Sequence, residues 1–271
     1  MHALSQLKEN MKIAIIGCGN MGSALAQNLS KTHSLYLYDH HIEKALKLHQ
    51  EGFGLAAQNI DNVIENVELI ILAVKPQNIT ELSDLIGKRL KKEQILVSIL
   101  AGISIQTLKE LFSNSYIVRM MPNLALLYGE GVIGLSADED ISKEIKENLT
   151  NVFELLGKIY WLPENKIDAL TALAGSGPAF FFVIIESMID AGIAMGLTVS
   201  EAQSLTFQML KGSITLLEKT SKHPGELKWQ ITSPKGTTIA GLKTLEETNL
   251  RGSIINTFLA AYNRANQLSS L

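Results

Sequence analysis

The chain has 271 residues, 46% of them hydrophobic and 19% charged, enough to bury the core of one large domain or two ordinary ones. A formal charge of −3 gives no bulk electrostatic reason to expect nucleic acid or an anionic membrane as a partner. Its one cysteine, Cys18, excludes an intramolecular disulfide and accords with a reducing, cytoplasmic setting.

Met1 to Asn10 lack the apolar stretch of a signal peptide and read as an extension ahead of the first element. The apolar run Ile13-Ala14-Ile15-Ile16 then predicts a buried strand over Lys12–Gly17. It turns at Gly17-Cys18-Gly19-Asn20-Met21-Gly22 into a helical pattern over Ser23–Ser30. This is G-x-G-x-x-G with a strand before it and a helix after it, the context in which the pattern points to a dinucleotide. Gly17 permits the tight turn, Gly19 lets backbone approach a pyrophosphate, and Gly22 lets helix and strand pack closely. The helix N-terminus offers free N–H groups and a partial positive charge to the phosphates. Cys18, inside this loop with no histidine near it in sequence, reads as a small filler residue rather than a catalytic thiol.

A second strand, Ser34–Tyr38, ends at Asp39, about 20 residues past the first glycine. A carboxylate there can accept from the ribose 2′-OH and repels a 2′-phosphate, so Asp39 leans the cofactor toward NADH. His40, His41 and Lys44 act against that lean, because they can offset a phosphate's charge; no further ligands at suitable spacing make a metal site of the two histidines. A helix over Ile42–Glu51, a buried strand over Val67–Val74 and a helix over Ile79–Leu90 follow. Lys75-Pro76-Gln77 closes that strand, and loops at such carboxyl ends line the ligand crevice. Strands are predicted over Ile95–Ile99, Tyr116–Met120, Val132–Leu135 and Lys158–Leu162, with helices over Ile105–Leu111 and Ser142–Leu156. Ala101-Gly102 and Arg119-Met120-Met121-Pro122-Asn123 end two of these strands and would frame the nicotinamide. Alternating βα units with apolar strands predict a parallel sheet covered by helices on both faces.

After Pro163 strands give way to helices, predicted over Asn165–Ala174, Ala179–Met195, Ser200–Thr220 and Thr238–Leu268. The expected architecture is therefore α/β: a Rossmann-type domain over residues 11–163 and an all-α domain over 164–271. Ser200-Glu201-Ala202-Gln203 reads as a capping box, and Pro178 suits the first turn of a helix. The longest uncharged run, Ala169–Ile185, falls short of the ~20 apolar residues of a membrane span and reads as core or subunit interface. Phe180-Phe181-Phe182 with Val183, Ile184 and Ile185 is apolar nearly all round, which predicts burial against a second subunit.

Two glycine-containing breaks interrupt the helices. Gly175-Ser176-Gly177-Pro178 is one; Ser233-Pro234-Lys235-Gly236-Thr237-Thr238, directly before a helix, is the other. The second is a ready anion site, with hydroxyls, free backbone N–H groups and the positive end of a helix dipole. Helix capping by Thr237 or Thr238 would account for one hydroxyl but not for three. Neither break holds a histidine, aspartate or glutamate, so strong general acid or base chemistry is poorly supplied.

At this point the chain resembles the pyrroline-5-carboxylate reductases, through IGCGNMG, AVKPQ, VRMMPN, GSGPAFFF with Glu186, and HPGELKWQITSPKGTTIAGLKTLEE, in the family's order and spacing from Met11 to the C-terminus. The resemblance implies NAD(P)H-dependent reduction of L-1-pyrroline-5-carboxylate, a cyclic imine, to L-proline, the last step of proline synthesis. It implies a Rossmann domain and a helical domain that intertwines into a homodimer, assembled in many members into a decamer. Implied cofactor residues are Gly17, Gly19, Asn20, Met21 and Gly22, with Ala73, Val74, Lys75 and Pro76, and further Asn59 and Ala101. Implied substrate residues are Ser176, Ser233, Gly236, Thr237 and Thr238, with the Thr238 hydroxyl supporting protonation of the ring nitrogen. Two positions depart from the family: glycine is common where this chain has Lys235, and a small polar residue is common where it has Asp39.

Two other readings fit the first half of the chain. A β-hydroxyacid dehydrogenase also pairs a Rossmann domain with a helical one; it would want a lysine base, and Lys166 and Lys211 lie outside any glycine-rich motif. A dinucleotide-sensing subunit would need the glycine loop but not the hydroxyl-rich turn.

Overall fold

The computed structural model describes residues 10–65, 67–138 and 140–269; the expected extension, up to residue 9, lies outside the described residues. The chain packs as two compact units, one reaching to Gly175 and taking in the chain from Tyr262 onward, the other Ser176–Ala261.

The first unit is built on β1 (Lys12–Ile16), α1 (Asn20–Leu29), β2 (Ser34–Tyr38), α2 (Ile42–Gln50), β3 (Leu55–Ala56), α3 (Asp61–Ile64), β4 (Leu69–Leu72), α4 (Ile79–Ile86), β5 (Ile95–Ser98), α5 (Ile105–Leu111), β6 (Tyr116–Met121), β7 (Gly131–Ala137), α6 (Lys143–Phe153) and β8 (Gly157–Trp161). The strands form one sheet in the order β3-β2-β1-β4-β5-β6-β7-β8. The order reverses beside β1, so the carboxyl ends of β1 and β4 flank the crevice where such sheets take ligands. Side chains alternate faces along a strand. Ile13 and Ile15 therefore join the core on one side of the sheet with Leu25, Leu69 and Ile71, while Ala14 and Ile16 join the other with Ile70, Leu82 and Phe112. Burial on both faces explains why β4 is apolar at every position rather than alternating.

The expectation of a fully parallel sheet needs correcting at one place. β6 and β7 pair antiparallel, Val118 opposite Ala137 and Met121 opposite Gly134. Only a short 3₁₀ turn, Leu124–Tyr128, separates them, whereas a parallel return needs a crossover of about a dozen residues or more. β8 then returns parallel to β7 by way of α6. A further correction concerns α1, which begins at Asn20 rather than Ser23, so Asn20, Met21 and Gly22 form its first turn. The short edge strand β3, paired with β2, has no strong sequence pattern and was not anticipated.

Beyond β8 run α7 (Ile167–Leu170), a π-helical turn over Thr171–Ser176, α8 (Gly177–Ala194), α9 (Val199–Thr220), α10 (Pro224–Gln230), α11 (Thr237–Glu247) and α12 (Leu250–Ser269). Pro178 sits in the first turn of α8, where its fixed φ suits the helix. The Gly175-Ser176-Gly177-Pro178 sequence therefore does not stop the helical path. Glu164–Ala194 forms a 31-residue helical stretch long and apolar enough, by length and composition, to cross a membrane, which corrects the shorter estimate from the uncharged run alone. The capping box is real but lies two residues before the predicted one. Thr198 accepts from the Glu201 N–H, and Glu201 accepts from the Thr198 N–H at 2.9 Å. The single long helix predicted over Thr238–Leu268 is two. Asn249, with a left-handed φ of 54°, breaks it between α11 and α12.

The helices of the second unit expose apolar side chains. Phe181, Phe182, Val183, Leu205, Phe207 and Ile255 are all exposed, and the only buried residues of α8 are Gly177 and Gly192. Many large apolar side chains exposed along the same helices point to an interaction face.

Candidate active site

The glycine loop is shaped by close approaches. Gly17 has φ of 105°, and a side-chain carbon there would lie 2.5 Å from the Ala73 carbonyl oxygen. Two backbone bonds fix it between neighbouring strands: the Gly17 N–H donates to Tyr38 O at 2.8 Å, and the Ala73 N–H to Ile16 O at 2.8 Å. Gly22 seats α1 on the loop, since a carbon added there would fall 1.9 Å from Gly17 O. Gly19, in contrast, faces open space.

Gly19 is also the N-cap of α1, and no side chain caps that helix. The first N–H to find a helical acceptor is that of Ser23, which donates to Gly19 O. The N–H groups of Asn20, Met21 and Gly22 are left for a ligand, at the positive end of the helix dipole and beside a glycine with room over it. These residues fit a dinucleotide pyrophosphate.

A cleft of about 480 Å³ runs from this loop. Of the predicted cofactor residues it brings together Gly17, Gly19, Asp39, Ala73, Val74 and Lys75. Asn20, Met21, Gly22, Pro76, Asn59 and Ala101 do not line it. Asn59 is exposed, and its side chain accepts from the Asp61 N–H at the start of α3. His40, His41 and Lys44 line the cleft together with Asp39. Gln77, from the loop expected to line the crevice, lines it as well, and so do Asn78, Glu81, Leu82 and Leu85, from the turn after β4 and from α4, which were not singled out from the sequence. Only the length of the AVKPQ loop hinted that the following helix would reach the cleft.

Asp39 is partly committed within the protein. One carboxylate oxygen accepts the Cys18 N–H at 2.7 Å; the other accepts the His41 N–H at 2.9 Å and lies 3.6 Å from Lys44 Nζ. Its side chain is only 10% exposed. The neighbouring Cys18 thiol is pushed up to about 12, first by burial and then by the Asp39 charge. A thiol held so far from ionisation is a filler, not a nucleophile.

At the far end of the sheet, Arg119 is buried on β6 rather than placed in the cleft. Its Nη1 donates to Glu164 Oε1 at 2.7 Å, and the same oxygen accepts the Ile105 N–H at the start of α5. Asn123 is also buried.

The second constellation lies in the other unit. The turn between α10 and α11 places Lys235 at a left-handed φ of 58°. The Gly236 N–H donates to Ser233 O, and a side-chain carbon at Gly236 would come within 2.2 Å of Ser233 Oγ. Gly236 is the N-cap of α11 and no side chain caps the helix. Thr237 and Thr238 are thus the first helical residues rather than caps. Among the described residues, the hydroxyls of Ser233, Thr237 and Thr238 have no hydrogen-bond partner in the chain, while Thr232 next door is satisfied by Lys228 O. Three free hydroxyls and an uncapped helix N-terminus are groups suited to an anion. Ser176 ends the π-turn, its hydroxyl likewise free. Lys166 and Lys211, the bases a hydroxyacid dehydrogenase would need, are exposed.

Comparison with known proteins decides the family. Residues 164–268 match the model for pyrroline-5-carboxylate reductase dimerisation, and residues 12–102 match that for NADP oxidoreductase, coenzyme F420-dependent. A pyrroline-5-carboxylate reductase of Methanosarcina acetivorans is 34% identical over 96% of this chain and 98% of its own length. The chain belongs to the pyrroline-5-carboxylate reductase family. The Arabidopsis thaliana relative is 35% identical over 96% of each chain. A crystal structure of the Plasmodium falciparum pyrroline carboxylate reductase with NADP bound superposes with a TM-score of 0.87, at 29% identity, over 96% of this chain and 99% of that one. Membership makes the α/β architecture that of an NAD(P)-dependent oxidoreductase and makes the helical half a dimerisation domain, which accounts for its exposed apolar faces.

Proposed function

We propose that this reductase reduces L-1-pyrroline-5-carboxylate to L-proline with NADH or NADPH. The observation that carries the reading is the Ser233–Thr238 turn: free hydroxyls and uncapped N–H groups, with no acid or base among its residues. The N–H groups of Thr237, Thr238 and Ile239 precede the first helical bond of α11, that of Ala240 to Gly236 O, and would hold the substrate carboxylate. The Thr238 hydroxyl would bond the ring nitrogen and support the proton it carries. Hydride adds to the imine carbon, the C=N π pair moves to the protonated nitrogen, and a secondary amine results. A bound nicotinamide would supply that hydride. A protonated imine is already electrophilic, so orientation and electrostatics suffice and a strong general acid is not required. The loop Asn20–Gly22 and the cleft beside Asp39 and Lys75 would hold the dinucleotide.

The reading extends to a homodimer through the helical domain, with a decamer as the larger assembly, and to action in the cytoplasm, with which the low cysteine count accords. The exposed face of α8 is taken by the partner subunit rather than by lipid, in keeping with exposed Glu186 and Asp190 on the same helix. Oxidation of NADH and NADPH with the cyclic imine, set beside reduction of NAD with 3-hydroxy acids, tests the reaction. Imine reduction alone is expected; activity only with hydroxy acids, or tight nucleotide binding with neither activity, overturns it.

A further inference from the structure

Asn123 stands at the N-cap of the Leu124–Tyr128 turn, a place where asparagine ordinarily caps its own helix, yet its side chain makes no such bond. It is 7% exposed and reaches two distant backbone groups instead. Its Oδ1 accepts the Val132 N–H at 3.0 Å, and its Nδ2 donates to Ala174 O at 2.9 Å. One acceptor and one donor partner fix the amide's orientation without ambiguity.

Ala174 is inside the π-turn Thr171–Ser176, two residues before Ser176. In α-helical register its carbonyl would look to the N–H of residue 178, which is Pro178 and has none. The Ala174 carbonyl is part-buried, and the Asn123 amide supplies it a donor from outside the helix. The bond comes from a side chain outside the helix, at a π-turn, and π-turns recur at functional sites.

We propose that Asn123 is a positioning residue for the imine: by holding the Ala174 carbonyl, which in α register would face Pro178, it keeps the π-turn in the form that presents the Ser176 hydroxyl at the head of α8. The proposal rests on reading Ser176 as a substrate residue. It makes a paired demand, that the asparagine and the proline act on one carbonyl.

Two variants test it from opposite sides. N123D keeps an acceptor for Val132 but replaces the donor to Ala174 with an acceptor; P178A leaves Asn123 in place and offers the carbonyl a competing donor that draws the turn toward α geometry. Each is expected to raise the KM for the imine about tenfold or more, with the Kd for NADPH changed less than about twofold. Amide hydrogen exchange over residues 171–177 is expected to quicken in N123D. Folded variants with unchanged imine KM, or with nucleotide affinity lost in step, overturn the proposal; P178A decides the matter if N123D does not fold. A parent protein that binds NADPH but reduces no imine overturns the functional reading and this inference with it, whereas an active parent with unaffected variants overturns this inference alone.

Discussion

The Asp39 carboxylate accepts the Cys18 backbone N–H at 2.7 Å, tying the end of β2 to the turn that leaves β1. The residue that the ribose-contact rule would spend on the cofactor is therefore also a brace for the loop proposed to hold the pyrophosphate. D39S should remove both the brace and the negative charge that a 2′-phosphate would meet, leaving His40, His41 and Lys44 beside it. The kcat/KM ratio of NADPH to NADH is expected to rise roughly tenfold, with stability lower by about 1 kcal/mol for the lost acceptor. Steady-state kinetics with both cofactors measure this; an unchanged ratio would place cofactor choice elsewhere.

The Cys18 thiol should be inert. Its folded pKa is raised from 9.0 to about 12, so the native protein keeps its proton where the unfolded chain loses it. Stability is thus expected to fall as pH rises from about 9 toward 12, since the unfolded state binds fewer protons in that window. Alkylation near pH 9 should be slow in the native protein and fast after denaturation, and rapid native labelling would contradict the burial.

Gly22→Ala should cripple the nucleotide site. The added carbon would collide with Gly17 O at 1.9 Å, a backbone atom that cannot step aside without opening the loop. Affinity for NADPH, read by fluorescence titration, is expected to drop about a hundredfold or more. Near-parental affinity would mean that α1 can lift from the loop at little cost.

Lys235 adopts φ of 58°, a conformation that costs a side-chain-bearing residue ~1 kcal/mol more than glycine. Lys235→Gly relieves that strain but loosens the unfolded chain, so the melting temperature is expected to change little. The KM for the imine should rise severalfold at low salt, because the lysine's charge attracts the carboxylate, and the difference should fade near 1 M salt. A KM difference that persists at high salt would point to turn geometry instead of charge.

Thr238→Ala removes a hydroxyl that caps nothing in the protein. Imine reduction is expected to fall about a hundredfold while the Kd for NADPH stays within about twofold. Equal steady-state rates in variant and parent would remove Thr238 from the chemistry.

The dinucleotide half was legible because its signals are local. A buried strand, a glycine turn and a helix start follow one another within a dozen or so residues, so the pattern shows in one short window even though the Gly17 turn is also shaped by Ala73 on a neighbouring strand. The Ser233–Thr238 turn was legible for the same reason, as hydroxyls and a helix start in six consecutive positions. The antiparallel β7 was not, because strand direction depends on what the connecting segment can span and not on the pattern of the strand itself. Nor was the break at Asn249, where propensity alone continues the helix and a single left-handed residue ends it.

By itself, then, the sequence determined the two-part architecture, the glycine loop between strand and helix and the hydroxyl-rich turn, all features written in residues that lie next to one another. Only the tertiary structure decided how side chains distant along the chain are spent. Asp39 is drawn onto the Cys18 N–H, Arg119 onto Glu164, and Asn123 onto a carbonyl fifty-one positions away. The physical reason is that a buried donor or acceptor must find a partner wherever packing brings one, and packing is a property of the whole fold rather than of any window of the chain.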